Sequence, residues 1–139
     1  MIDFNPDTMP HQPPMRFVDR LLDVGENSGS TAFTIGPGNL FLDEKGHLLR
    51  ETLVEVMAQA FMAVSVYRAR HSGAATPGGY LAGLRNIRFY EDASQGDTLI
   101  TKVRVTDQIA QITIVEGQVF RDQTLLAEGE LRLYTIPNA

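Results

Sequence analysis

Two polar side chains stand in the most apolar segment of the sequence. Glu55 and Gln59 lie four residues apart within LVEVMAQAFMAVSV, residues 53–66. In an α-helix this spacing places both groups on one face, where they would form a single polar patch. Apolar surroundings disfavour the charged form of a carboxyl, and a carboxyl that exchanges its proton readily suits general acid–base chemistry. Glu55 is therefore a candidate catalytic group, and an acid that only satisfies the helix dipole is the alternative.

The helix that would carry both groups is predicted from about residue 50 or 51 to about residue 71. Its start is acidic, Arg68 and Arg70 stand near its end, and Gly73 follows directly, in agreement with the helix dipole and with a glycine stop. Apolar residues surround the helix axis instead of occupying one stripe. A helix with this pattern is expected to be buried on most of its sides.

The rest of the chain is dominated by strand-length segments. One short strand is predicted at STAFTIG, residues 30–36, and four longer ones at residues 80–90, 97–108, 110–122 and 124–136, which are rich in Val, Ile, Thr, Leu and Tyr. Turn-forming residues between the four runs predict that neighbouring strands are antiparallel. We expect an α+β domain in which a curved antiparallel sheet wraps round the helix, and an open two-layer sandwich is the alternative.

Composition limits the function classes. The chain has 139 residues, which predicts a single domain over residues 1–139, and its formal charge of −5 disfavours a nucleic-acid partner. The absence of cysteine excludes thiolate metal sites and cysteine nucleophiles, and three widely separated histidines predict no metal site. We also expect no cofactor. No apolar run has the length of a membrane span and the N-terminus lacks a signal-peptide pattern, so a cytoplasmic location without a membrane partner is expected.

Three segments resemble, in order, the motifs of the hotdog-fold 3-hydroxyacyl-[acyl-carrier-protein] dehydratases. They are MPHQPPMRFVDRLLDV, LVEVMAQA and YLAGLRNIRFYEDASQGDTL, which are similar to the family's PHRxPxxLVDR, its IEAMAQA, and its glycine-containing strand that closes with PGD. The resemblance extends from about Met9 to Tyr134. It implies the hotdog fold, an α+β architecture, and an enzyme that converts 3-hydroxyacyl thioesters on acyl carrier protein to trans-2-enoyl thioesters in fatty acid or polyene-type lipid synthesis.

The resemblance also implies residue roles. Glu55 falls on the family's catalytic helix carboxylate, and His11 falls on a position whose expected role is structural. The family's catalytic histidine belongs to a GHFP loop about fourteen residues before the carboxylate, where this chain has Phe41. A dehydratase-like branch linked to aryl polyene synthesis is similar in its altered loop. His47 lies in the same loop and would replace the missing histidine if the loop were shifted, and an exposed turn histidine is the alternative.

Three positions are expected to contact the substrate: Gln59, Gly83 and Phe41. Gly83 lies inside a predicted strand, where a glycine would let an extended pantetheine arm approach the backbone. Gly78 and Gly79, at the end of SGAATPGG, are expected to form a tight turn. Scattered Arg and Lys residues would supply a positive surface for an acidic carrier protein or a coenzyme A phosphate.

Three functions remain open at this point. The first is an active dehydratase with Glu55 and His47 as its catalytic groups. The second is a non-catalytic or half-site subunit that works with a paralogous hotdog subunit. The third is a hotdog acyl thioesterase or acyl-binding module. Because the family's clefts form between protomers, the resemblance implies a homodimer or a heterodimer, with acyl carrier protein or acyl-coenzyme A thioesters as substrate.

Overall fold

A six-stranded antiparallel sheet and one long helix make up the structure, a computed structural model that describes residues 2–74 and 78–136. A short 3₁₀ helix, Pro6–Thr8, precedes the sheet. The remaining elements in chain order are β1 Arg20–Val24, β2 Ser28–Thr34, α1 Glu51–Ser72, β3 Gly78–Phe89, β4 Thr98–Ile109, β5 Ile112–Arg121 and β6 Thr124–Ile136. The strand order in the sheet is β1-β2-β4-β5-β6-β3. This arrangement is the hotdog architecture predicted from the sequence.

A local sequence signal determines the C-terminal end of α1. The helix starts at Glu51, and Gly73 ends it in the left-handed conformation with φ 74°, which glycine adopts without steric cost. The backbone N–H of Ala74 donates to the carbonyl of Ala69 at 2.9 Å, which satisfies one of the last free carbonyls of the helix. The predicted helix bounds are confirmed. No helix in the described ranges combines the length and apolar character that a membrane crossing needs.

Two glycines allow the sheet to approach the middle of α1 closely. A Cβ atom at Gly117 of β5 would lie 2.6 Å from the Sδ atom of Met57, and one at Gly29 of β2 would lie 2.4 Å from the Cγ2 atom of Val64. Both distances are shorter than any real contact of this kind, so a larger residue would push the helix away. The helix therefore rests directly on the backbone of these two strands.

The strand topology corrects one sequence prediction. Successive strands are neighbours in the β4-β5-β6 meander, as predicted, but β3 pairs with β6 and β4 pairs with β2. Residues 90–97 therefore form a crossover between distant strands instead of a hairpin turn. Buried Ala93 and the Asp97 carboxylate, which accepts hydrogen bonds from Ser94 and Arg121, hold this crossover against the sheet. Its composition resembles that of a turn, which explains the error.

One face of α1 stays uncovered in the single chain. The helix packs mainly against β2, β4 and β5, and its fully buried side chains point towards those strands. The remaining face is partly or fully exposed and carries Glu55, Ala58, Phe61, Met62, Ser65 and Arg68. The prediction of a helix buried on most sides is therefore confirmed for the sheet side and wrong for this face.

Candidate active site

A cavity of about 830 Å³ lies between the uncovered face of α1 and the ends of β3 and β6. Its volume falls within the range of natural small-molecule sites, roughly 300–1,000 Å³. The cavity is lined by the helix, the first residues of β3, the last residues of β6 and the N-terminal segment. The lining residues outside α1 include Pro10, His11, Asn27, Ser28, Gly78, Gly79, Tyr80, Leu81, Val103, Val105, Leu133, Tyr134 and Thr135.

The helix contributes a regular stripe to this cavity. Glu55, Ala58, Met62, Ser65 and Arg68 follow one another at intervals of three or four residues, which places them on one helical face. The stripe is acidic at its first residue, apolar at Ala58 and Met62, polar at Ser65 and basic at its last residue. Thirteen residues separate its ends, so at the rise of an α-helix they lie about 20 Å apart along the axis.

Glu55 lies on the wall of the cavity with its carboxyl group partly accessible. Its side chain is 44% exposed, and its Oε1 atom lies 3.7 Å from the Nε2 atom of His11. The same oxygen accepts a hydrogen bond of 3.0 Å from the Nε2 atom of Gln59. The apolar surroundings predicted for this carboxyl are incomplete in the single chain, because the helix face that carries it is uncovered.

Gln59 is buried and fully occupied within the protein. Its side chain is 1% exposed, and its Nε2 atom donates both to Glu55 and to the carbonyl of Met15, the latter at 2.8 Å. Its Oε1 atom accepts the backbone N–H of Phe17 at 2.6 Å. These bonds join the N-terminal segment to α1. Gln59 thus positions its neighbours, and the structure does not bring its amide to the cavity surface as expected for substrate contact.

His11 reaches the site from the N-terminal segment. Its side chain is 30% exposed, its Nε2 atom faces Glu55, and it lines the cavity. Its Nδ1 atom is buried and makes no hydrogen bond within the described residues. The family resemblance implies a structural role for His11, whereas the structure places it beside the candidate catalytic carboxyl group.

His47 lies in a different environment. Its Nδ1 atom is 4.0 Å from the Oδ2 atom of Asp43, and its backbone N–H donates to the Oδ1 atom of the same residue at 2.9 Å. This backbone hydrogen bond is the main cause that holds the pKa of Asp43 below its ordinary value of 3.8, although partial desolvation opposes it. His47 does not line the cavity. Within one chain the structure therefore does not bring together the predicted pair of His47 and Glu55.

Phe41 packs into the core. Its ring meets Phe17 edge to face with the ring centroids 5.6 Å apart, and the residue is partly buried against the core cluster. The side chain does not line the cavity, so the structure offers no contact between Phe41 and a ligand there. The aromatic ring thus extends the apolar packing beneath the N-terminal segment.

The glycines of β3 exchange their expected roles. Gly83 lies at an irregularity in the pairing of β3 with β6 and does not line the cavity. Gly78 and Gly79, expected in a turn, begin the strand and line the cavity instead; residues 75–77 of that predicted loop lie outside the described residues. A Cβ atom at Gly79 would lie 2.5 Å from the carbonyl oxygen of Tyr134, so only glycine fits there.

Two sets of lining residues were not predicted from the sequence. Tyr80 and Tyr134 are directly opposite in the ladder and stack with ring centroids 5.2 Å apart. The helix stripe from Ala58 to Arg68 was also missed, although its spacing from Glu55 was visible in the sequence. Counting in steps of three and four from the candidate carboxylate would have identified it.

A sheet packed on one long helix, with an imidazole and a carboxyl beside a cavity along that helix, defines a hotdog protein with a candidate acid–base site. Comparison with protein families refines this class. The profile of the ApeP-like family, described as ApeP dehydratase, matches residues 6–139. The chain belongs to this family, which confirms the dehydratase resemblance and the dehydratase function predicted from the sequence.

Individual relatives agree with this assignment. The chain is 26% identical to the 3-hydroxyacyl-[acyl-carrier-protein] dehydratase FabZ of Streptococcus sanguinis strain SK36, over 94% of this chain and 96% of that protein. It is 23% identical to the FabZ of Lactococcus lactis subsp. cremoris strain MG1363, over 90% of this chain and 88% of that protein. The solved dehydratase heterocomplex ApeI:P from Xenorhabdus doucetiae contains a similar chain, with TM-score 0.84 and 29% identity, covering 94% of this chain and 89% of that one.

Proposed function

We propose that the chain is a subunit of a dehydratase that removes water from 3-hydroxyacyl thioesters on acyl carrier protein, with Glu55 as a catalytic group. The observation that carries this proposal is the Glu55 carboxyl beside an imidazole on the wall of the 830 Å³ cavity. Elimination of water removes a proton from C2 and delivers one to the hydroxyl leaving C3, so it needs a base and an acid in reach of adjacent carbons. Family membership supports the class of reaction, and the cavity supports the location of the active site beside Glu55.

The helix stripe supports one orientation of the substrate. A phosphopantetheine arm extends on the order of 15 to 17 Å from its sulfur to its phosphate, by the reach per bond of an extended backbone. The stripe from Glu55 to Arg68 has a similar length. A thioester near Glu55 would therefore place the phosphate near Arg68, whose guanidinium binds phosphate oxygens by charge-assisted hydrogen bonds. Ala58 and Met62 would contact the apolar part of the arm.

The free edge of β3 supports a second subunit. β3 is a terminal strand of the sheet, spans 12 residues and pairs only with β6 within the described residues. Tyr80 and Leu84 on this strand are 58% and 49% exposed. A long, apolar, exposed edge is a template for pairing with another chain. We propose a paralogous hotdog subunit as the partner, in line with the heterocomplex nature of the related ApeI:P structure. A subunit at this edge would also cover the cavity, because β3 forms one of its walls.

The test is an assay of the purified chain, alone and mixed with a paralogous hotdog subunit encoded by the same genome. A 3-hydroxyacyl thioester on acyl carrier protein should lose one water, measured by mass spectrometry of the intact carrier. The Glu55→Gln variant should lower this activity by about 100-fold or more. Glu51→Gln is the matched control, because Glu51 is exposed on the same helix and does not line the cavity.

Three other outcomes would contradict parts of the proposal. Release of free carrier thiol without dehydration would identify a thioesterase. Saturable binding of the acyl carrier without any turnover, in the mixture as well as alone, would identify an acyl-binding module. Full activity of a homodimer would retain the dehydratase and exclude the need for a paralogous partner.

A further inference from the structure

We infer that His11 is the second proton-transfer group of this site and acts with Glu55 of the same chain. The inference rests on the proposed dehydration and adds the residue that supplies the missing base. Three observations lead to it: both side chains line one cavity, the Nε2 and Oε1 atoms lie 3.7 Å apart, and the Nδ1 atom of His11 makes no hydrogen bond within the described residues.

The gap between the two groups has room for one bridging water molecule. At 3.7 Å the Nε2 and Oε1 atoms are too far apart for a direct hydrogen bond, so neither group is fully engaged by the other. One oxygen atom can lie at a hydrogen-bond distance of about 2.8 Å from both atoms, because two such distances together exceed the 3.7 Å between Nε2 and Oε1. A water molecule on the cavity side can therefore bridge His11 and Glu55 and pass a proton between them.

The environment of the imidazole determines which nitrogen reacts. The Nδ1 atom is buried, so a ligand in the cavity reaches only the Nε2 atom. A histidine that only anchored the N-terminal segment would be expected to use Nδ1 for a hydrogen bond. That anchoring role belongs instead to Gln59, which bonds the backbone of Met15 and Phe17. His11 is thereby held in place while its Nε2 atom faces Glu55.

The two groups complete a balanced elimination. Neutral His11 takes the C2 proton at Nε2, and the electron pair of the broken C2–H bond forms the C2=C3 double bond. The C3–O bond breaks as the double bond forms, and protonated Glu55 gives its proton to the departing hydroxyl, which leaves as water. After turnover the proton on His11 returns to Glu55 through one bridging water, since the two groups are close enough for such a relay. No other reactant is required.

The same arrangement explains how the chain tolerates its altered loop. Phe41 occupies the position where the resembled motif has a histidine, and its ring is packed against Phe17. His47 lies outside the cavity beside Asp43. With His11 in place, the site has an imidazole that does not come from this loop.

The test compares histidine variants in the active assembly of the full chain with its partner. His11→Gln should lower kcat by roughly 100-fold or more, the usual contribution of a positioned proton-transfer group, with KM changed only a few-fold. Free imidazole should restore part of the activity of His11→Ala, which a purely structural role would not allow. His71→Gln is the matched control, because His71 lies at the exposed end of α1.

Several results would overturn the inference and leave the proposed function intact. Activity of His11→Gln within three-fold of the wild type would do so, as would a large loss in His47→Gln with none in His11→Gln. Loss of activity with no imidazole rescue and with weakened binding of an enoyl thioester would assign His11 a structural role. If His11→Ala fails to fold, His11→Asn serves for the rescue, because its smaller amide also leaves room for imidazole. Absence of dehydration by the wild-type assembly would instead overturn the proposed function itself.

Discussion

Two histidine–carboxylate pairs with similar nitrogen–oxygen distances lie in different parts of the molecule. In one, His11 Nε2 lies 3.7 Å from Glu55 Oε1, and in the other, His47 Nδ1 lies 4.0 Å from Asp43 Oδ2. The first pair lines the cavity. The second belongs to a surface turn in which Asp43 accepts the backbone N–H groups of Lys45 and His47. Distance alone therefore does not distinguish a reactive pair from a structural one.

The difference between the pairs lies in how each is assembled. Asp43 and His47 are four residues apart, and hydrogen bonds within the turn hold them together. His11 and Glu55 are 44 residues apart in the sequence, and Gln59 brings their segments together from inside the core. Each carboxyl group has one oxygen that accepts hydrogen bonds from the protein, but Glu55 lines the cavity, where a ligand can reach it, and Asp43 does not. The long-range pair is therefore the one suited to chemistry.

The largest expected effect comes from the carboxyl of the first pair. Glu55→Gln keeps the side-chain shape and an oxygen that accepts the Gln59 hydrogen bond, but it cannot transfer a proton. We expect kcat for dehydration to fall by about 10² to 10⁴ with an unchanged melting temperature. Steady-state kinetics and thermal denaturation measure both quantities. Substantial remaining turnover in a correctly folded variant would remove Glu55 from the mechanism and erase the contrast with Asp43.

The second prediction breaks the connection that assembles the first pair. Gln59→Leu preserves volume but removes three hydrogen bonds and leaves the buried N–H of Phe17 without its acceptor. Loss of a buried partner costs on the order of 1–3 kcal/mol per unsatisfied group, so the free energy of unfolding should fall by about 2–4 kcal/mol. Urea denaturation measures this change, and turnover should also fall because His11 loses its support.

Gln123→Leu is the control for this experiment, because Gln123 is exposed in the turn between β5 and β6. A decrease below about 1 kcal/mol in Gln59→Leu would mean that water replaces the lost hydrogen bonds. In that case another contact would have to hold the N-terminal segment against α1.

The same contrast explains how much the sequence could predict. The ends of α1 were predictable because the acidic start and Gly73 act locally. Strand segments were predictable for the same reason, since composition and turn signals are local. The pairing of β3 with β6 was not, because the crossover of residues 90–97 is determined by packing of Ala93 and by hydrogen bonds to Asp97.

The candidate site was predictable only in part. The resemblance of LVEVMAQA to a dehydratase motif identified Glu55, and the structure places that residue in the cavity. His47 was considered as the histidine because it lies in the loop where the family has its catalytic histidine. His11 was assigned a structural role because it falls on a family position with that expected role, and nothing in PHQPP shows that the segment folds back onto the helix. Only the long-range hydrogen bonds of Gln59 reveal this contact.

A third, smaller effect concerns the far end of the cavity from the first pair. Arg68→Ala should raise KM about ten-fold for thioesters on acyl carrier protein or coenzyme A, because one charge-assisted hydrogen bond to phosphate is lost. Turnover of an N-acetylcysteamine thioester, which has no phosphate, should be unchanged. Arg70→Ala is the control, because Arg70 is exposed on α1 and does not line the cavity. An equal loss for both kinds of substrate would place the phosphate elsewhere.

The smallest expected effect belongs to the second pair and depends on pH. The pKa of Asp43 is lowered from 3.8, chiefly by the hydrogen bond from the His47 backbone N–H, so its charged form favours the folded state. This stabilisation is present above the unfolded pKa and is lost as the pH falls through the lowered folded pKa. Asp43→Asn keeps an acceptor oxygen without the charge, so it should lower the melting temperature slightly at neutral pH and by less as the pH drops below 3.8.

Thermal melts over this range measure the difference, and dehydration should be unaffected, because a turn outside the cavity can lose its charge without disturbing His11 or Glu55. A loss of turnover in this variant would join the second pair to the chemistry and remove the distinction between the two.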